Sequence, residues 1–182
     1  MITTRKILKQ YILQDKSRYH QRKSFIQYYL FGDETYAVIR FLRRLRYTEY
    51  YFKNKRNPFP FVRFAFSFFI YRRMQLHYKL FVPLNVCGPG LYIPHRMGGV
   101  IINAIKVGEN FTINTGCILG KKGSNDNRPT IGDNVECCIG SKIIGRVHVG
   151  DNAVIAPNSV VVKDVASNTI VSGVPAVLLK TL

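Results

Sequence analysis

Tryptophan is absent from the 182 residues, and acidic side chains number 10 against 27 Lys+Arg. That shortage of acid leaves a net charge of +17. Folding needs no such excess, so an anionic partner is implied: nucleic acid, an acidic membrane surface or phosphorylated ligands. Cysteine is sparse as well. Cys87, Cys117, Cys137 and Cys138 contain no CxxC and do not make a disulfide scaffold in a chain of this length. With only 4 histidines, a zinc set is not expected either, and no metal is assigned. Buried, reduced thiols are the reading. No apolar run reaches the ~20 residues of a bilayer-spanning helix; the longest, Phe64 to Tyr71, is broken by Ser67. No apolar stretch of a signal peptide follows Met1, so a cytoplasmic protein is expected.

What is present divides near residue 80. Residues 1–80 hold 18 Lys+Arg and 4 Asp+Glu, a net of +14, and 20 of the 23 Phe+Tyr. Residues 81–182 hold 9 and 6, a net of +3, and 13 of the 14 glycines. Hydrophobic residues are 47% of the whole, enough for a packed core.

The second half repeats every six residues. In IGDNVE, CCIGSK, IIGRVH, VGDNAV, IAPNSV and VVKDVA the first positions are Ile131, Cys137, Ile143, Val149, Ile155 and Val161. The fifth are Val135, Ser141, Val147, Ala153, Ser159 and Val165, and VGENFT, INTGCI and LGKKGS extend the phase back to Val107. An apolar residue turned inward every sixth position is the pattern of a β-solenoid. Gly, Asn and Asp at the second to fourth positions suit its corners, and three hexads would close one triangular coil. Asn125 falls on an inward position, so residues 121–129 are expected to leave the solenoid as a polar loop. Beyond Lys163 the repeat gives way to Ser172-Gly-Val-Pro-Ala176 and a C-terminal cap.

Residues 1–80 read as helices. Ile7, Leu8, Tyr11 and Ile12 recur at helical spacing, and Tyr36, Ile39, Arg40, Leu42, Arg43 and Leu45 fall on alternating faces. Gly32-Asp33 and Asn57 to Pro60 read as breaks. Phe61 to Tyr78 mixes dense aromatics with Arg63, Arg72 and Arg73. That mixture fits a helical packing layer or oligomer interface, a helix lying on an acidic membrane, or base stacking. No nucleic-acid motif accompanies it, and nucleic acid is not the expected partner.

At Tyr92-Ile-Pro-His95, Gly98-Gly-Val-Ile-Ile-Asn103, Pro129-Thr-Ile-Gly-Asp-Asn-Val135 and the Gly-Val-Pro-Ala exit, the chain resembles the hexapeptide-repeat acyltransferases. It is most similar to the serine O-acetyltransferases and related O-acetyltransferases of bacterial surface-polysaccharide pathways. The resemblance covers about residues 83 to 180. It implies a mainly β fold: a left-handed parallel β-helix over 81–182, here preceded by an α-helical segment over 1–80. It also implies acetyl-CoA as co-substrate, a homotrimer, and His95 as catalytic base. An imidazole, with a pKa near 6.5, suits removal of a hydroxyl proton. His148 ends a hexad and reads as surface; His20 and His77 lie in the basic segment.

By the same resemblance Asn103, Asp126 and Arg128 are candidate acceptor-binding residues. Gly120, Lys121, Ile139 and Pro157 are candidates to line the acetyl-CoA groove, with Lys163 and Lys180 for its phosphates. The sequence also departs from the family. Pro94 stands where an Asp precedes the family's base, Arg128 stands where a second His lies, and the upstream orienting carboxylate falls near Leu80. No acidic partner for His95 is evident within the chain, and Asp126 of a neighbouring subunit is a candidate to orient it. These departures and the basic, aromatic segment favour a sugar hydroxyl of a lipid-linked capsule or lipopolysaccharide precursor as acceptor, at the inner membrane face. L-serine is the alternative, and a membrane-associated scaffold without activity is the non-enzymatic one.

Overall fold

The computed structural model describes residues 1–19, 34–54, 58–124 and 126–182. His20, Gly32, Asp33, Asn57 and Asn125 lie outside the described residues. Helix α1 (Arg5–Ser17) begins at Thr4, whose hydroxyl accepts the Ile7 N–H at 3.3 Å, an N-cap. Helices α2 (Glu34–Lys53) and α3 (Pro58–Tyr78) follow. Pro58 and Pro60 therefore open α3 rather than interrupt it. In a first turn the backbone N–H has no partner within the helix, so proline costs little there.

The rest is a solenoid of short strands in three sheets. One sheet holds β1 (Leu80–Phe81), β2 (Val100–Ile102), β5 (Ile118–Gly120), β8 (Lys142–Ile144) and β11 (Val160–Val161), in that order and all parallel. A second holds β3 (Lys106–Val107), β6 (Thr130–Ile131) and β9 (His148–Val149). The third runs β4 (Thr112–Ile113), β7 (Glu136–Cys137), β10 (Val154–Ile155), β12 (Thr169–Gly173), and ends with β13 (Ala176–Thr181) folded back antiparallel on β12.

Register follows the hexads. Ile143 pairs with Val161 and Ile131 with Val149, each eighteen residues on, so three hexads close one coil. Leu119 pairs with Ile143, twenty-four residues on. The six additional residues are carried by the segment after β5. Val107, Ile113, Leu119, Ile131, Cys137, Ile143, Val149, Ile155 and Val161 are all buried, as are fifth-position residues from Phe111 to Val165, with Gly123 outside. Each aliphatic side chain so buried contributes about 1.5–3 kcal/mol.

The corners carry residues that tolerate a left-handed backbone. Asn110, Asn134, Asn152 and Asn168 have φ of 53 to 57° and stack on one another. Their side-chain amides form a ladder, Asn110 to Asn134 at 3.1 Å, Asn134 to Asn152 at 3.1 Å and Asn152 to Asn168 at 2.8 Å. Asn134→Ala should cost about 1–2 kcal/mol in denaturant unfolding, because alanine at positive φ is strained and the ladder is cut. Asn134→Gly should cost less, since glycine keeps the backbone angle.

One contiguous core runs from the helices into the coils. Phe41 of α2 stacks on Tyr71 of α3, centroids 5.5 Å apart, above Leu80, Val82 and Leu91. Where helices meet coil, Arg46 is wholly buried among the Asp15 and Glu49 carboxylates. Among the described residues no helix is long and apolar enough to cross a membrane.

Candidate active site

His95 sits on a connection held firmly at both ends. Upstream, Ile93 is fully buried. Its N–H donates to the Tyr19 hydroxyl at 3.0 Å, and its carbonyl accepts from that hydroxyl at 3.2 Å. Downstream, the Gly99 N–H closes a turn onto the Arg96 carbonyl at 3.2 Å. Gly98 there has φ +90°, and a Cβ would come 2.3 Å from the Thr115 hydroxyl, which is itself bonded to the Met97 carbonyl. A side chain at 98 would therefore displace the turn that carries His95. The His95 side chain is 63% exposed.

The acidic partner comes from the helical segment. Glu34, the first residue of α2, places Oε2 3.3 Å from His95 Nδ1. Its Oε1 accepts the N–H of Arg96 at 2.5 Å and of Met97 at 3.1 Å. Partial burial pushes the Glu34 carboxyl up, but these backbone donors and His95 outweigh it and hold it below its ordinary value. An ionised carboxylate only accepts hydrogen bonds, so Nδ1 carries a hydrogen, and in the neutral ring the lone pair is on Nε2. Because Glu34 is depressed, the contact is in place above the ordinary Glu range and is lost as pH falls through the lowered value.

This corrects the sequence expectation that the chain holds no acidic partner for His95. Asp126 is exposed on the loop, and Leu80 is buried in β1. Glu34 lies 61 residues from His95 in the chain, and no local spacing links the two.

The other candidates fall on the two corners flanking the β1–β2–β5–β8–β11 sheet. On the leading corner, backbone bonds stack the His95 turn on the coils below it. The Gly116 N–H bonds to the Gly99 carbonyl, Gly140 to Thr115, and Asn158 to Ile139. Ile139 and the exposed Pro157 thus share a corner with His95. On the trailing corner lie Asn103, one residue past β2, Gly120, the last paired residue of β5, with Lys121 after it, and the exposed Lys163, two residues past β11. About four residues of strand, ~13 Å, separate the rows. Lys180 stands on β13 beside Ile170, in a different sheet.

The loop of Asp126 and Arg128 leaves from the trailing corner. Asn127, which the sequence did not single out, ties it down. Its Nδ2 donates to the Lys122 carbonyl at 2.7 Å, and its Oδ1 accepts the Arg146 N–H at 2.6 Å. Arg128 is half-buried beside it. His148 is exposed, with Nδ1 3.1 Å from the Thr130 hydroxyl. Among the described residues no cluster of His, Cys, Asp or Glu could hold a metal ion. Cys87, Cys117 and Cys137 are buried free thiols, and burial pushes Cys87 up to about 12.

No family model matches the chain. A serine acetyltransferase of Staphylococcus epidermidis is 42% identical over 95 residues, 51% of this chain and 45% of that protein. One from Staphylococcus aureus is 39% identical over the same shares. The match thus spans less than half the length of these relatives. In structure, the serine acetyltransferase of Brucella abortus covers 97% of this chain and 70% of its own, with 26% identity and a TM-score of 0.72. The Neisseria gonorrhoeae enzyme in complex with serine has 22% identity and a TM-score of 0.73, covering 97% and 70%. A serine acetyltransferase in complex with CoA has 20% identity and a TM-score of 0.68, covering 96% and 71%. The chain resembles serine acetyltransferases, which are hexapeptide-repeat acyltransferases, in sequence over about half its length and in fold over nearly all of it.

Proposed function

We propose that the chain is an acetyl-CoA-dependent O-acetyltransferase with L-serine as acceptor. The observation that carries the reading is the Glu34–His95 pair, an imidazole on a braced turn with its Nδ1 hydrogen held by a carboxylate. Nε2 takes the proton of the acceptor hydroxyl as its oxygen attacks the thioester carbonyl. Collapse of the tetrahedral adduct breaks the C–S bond, and the imidazolium returns the proton to the CoA sulfur.

The sequence favoured a sugar hydroxyl over L-serine. The relatives in sequence and in fold are serine acetyltransferases, which supports L-serine and gives the sugar no support. Asn103, Asp126 and Arg128 remain the acceptor-binding candidates, with Arg128 suited to a carboxylate. Gly120, Lys121, Ile139, Pro157 and Lys163 flank one sheet face and would line the acetyl-CoA groove. Ile101, Ile139 and Val162 are 42 to 54% exposed on and beside that face, apolar surface that a neighbouring coil of a homotrimer would cover. The reading keeps the chemistry on residues 81–182, with 1–80 supplying Glu34. It takes the coils as left-handed, the hand the resemblance implies, and the setting as cytoplasmic, where buried thiols stay reduced.

Acetyl-CoA thiol release, measured with L-serine and with a panel of nucleotide sugars and saccharides, tests the proposal. Turnover on L-serine is expected. Turnover only on a sugar would return that acceptor to first place. Absence of both turnover and acetyl-CoA binding would leave a solenoid scaffold.

A further inference from the structure

Helix α3 is built inside out. Toward α2 and the first coil it buries Ser67, Tyr71 and Gln75. Ser67 shares a hydrogen bond with the Thr48 hydroxyl at 2.7 Å, the Tyr71 hydroxyl donates to the Val82 carbonyl, and Gln75 Nε2 donates to the same carbonyl at 2.8 Å. Away from the fold it presents Phe59, Val62, Phe66, Phe69 and Leu76, between 57 and 76% exposed. These positions alternate three and four apart and form one side of the helix. Arg73 falls in the same series, and exposed Arg63 and Arg72 lie on the same helix. A contiguous apolar side of this kind on a single chain marks a surface that meets a partner.

A groove of about 370 Å³ adjoins the start of that face. Arg5 and Lys9 of α1, Arg63 of α3, and Tyr47, Tyr50 and Tyr51 of α2 line it, and no carboxylate is among its described lining residues. The described acidic residues of the segment are turned elsewhere. Asp15 and Glu49 bind Arg46, and Glu34 binds the His95 turn.

We propose that this face and groove dock on an anionic phospholipid bilayer. The phenylalanines sink to the headgroup–acyl boundary, and Arg5, Lys9 and Arg63 take a headgroup phosphate. Charge decides the partner. Residues 1–80 carry +14, and a second copy set against the same face would oppose that charge with its equal. An acidic lipid surface answers it, and a helix with apolar and basic groups on one side lies in the interface rather than across it. The proposal stands independently of the acceptor.

Flotation of the full chain with phosphatidylcholine vesicles, with and without phosphatidylglycerol, tests it. Binding is expected only to the anionic vesicles, weakening as salt rises. Phe66→Ser with Phe69→Ser should lower the partition about tenfold. Arg5→Gln, Lys9→Gln and Arg63→Gln should each lower it about fivefold. The three cation variants alter exposed side chains and carry the test alone if the phenylalanine variant does not fold. Failure to bind anionic vesicles, equal binding to neutral ones, or variants that bind like the parent would overturn the proposal. So would sedimentation showing that Phe66→Ser with Phe69→Ser only dissociates an oligomer, which would give the face to a second copy. Competition by millimolar inorganic phosphate without any effect of the phenylalanines would overturn it as well.

Discussion

His95→Ala should lower acetyl-CoA thiol release on the preferred acceptor by about 10²–10⁴-fold, the range for losing a general base, with little change in acetyl-CoA affinity. Glu34→Gln is the sharper test of the geometry. Glutamine keeps an oxygen for the Arg96 and Met97 N–H groups, so the turn survives. Its NH₂ then faces Nδ1 where Glu34 Oε2 stood, 3.3 Å away. An amide donor there makes Nδ1 the acceptor and moves the ring hydrogen to Nε2, the atom that has to receive the acceptor's proton. The expected loss is in kcat rather than KM, about 10²-fold, with unfolding little changed. Glu34→Asp shortens the reach to the turn and should recover part of kcat. If Glu34→Gln turns over like the parent, the pair is a structural brace and another group orients the base.

The coils were legible because their physics is local and periodic. An inward position every six residues is a statement about burial, and the described first positions between Val107 and Val161 bear it out. Asparagine at the fourth position announces a left-handed corner, and Asn134 and Asn152 have that backbone. The site was legible only where it lies on the coils. His95 is marked by its motif, whereas Glu34 reaches it from 61 residues away and its neighbours in sequence, Thr35 and Tyr36, show no sign of it. The helical segment misled for a related reason. Counting charge treats every arginine alike, yet Arg43 is exposed while Arg46 three residues on is fully buried. Likewise, dense aromatics on α3 read equally as packing layer or as surface, and only the fold shows that Ser67, Tyr71 and Gln75 are what it buries.

Arg46→Met should destabilise the fold by about 3–5 kcal/mol, although methionine fits an apolar interior. All five guanidinium N–H groups are used. Nε and Nη2 reach Asp15 at 2.8 and 3.2 Å, and Nη1 reaches Glu49 at 3.1 Å. The remaining two donors reach the Cys87 and Gly88 carbonyls at 2.9 and 2.6 Å. Asp15 in turn accepts the Gly90 and Leu91 N–H groups, and Glu49 accepts that of Asn85. One side chain thus joins α1, α2 and the first coil. Burial already pushes the Glu49 carboxyl up despite the guanidinium beside it. Without Arg46 two buried carboxylates would stand unanswered, and Glu49, already raised by burial, would lose the cation that holds it down. Protonation then favours the folded state, so the deficit should be largest at neutral pH and shrink as pH falls into the ordinary carboxylate range. Adding Asp15→Asn and Glu49→Gln to Arg46→Met keeps the oxygens that cap the backbone N–H groups while removing both charges. That triple variant should regain part of the loss at neutral pH in denaturant unfolding. A single variant that unfolds like the parent at every pH would mean the cluster contributes no net stability.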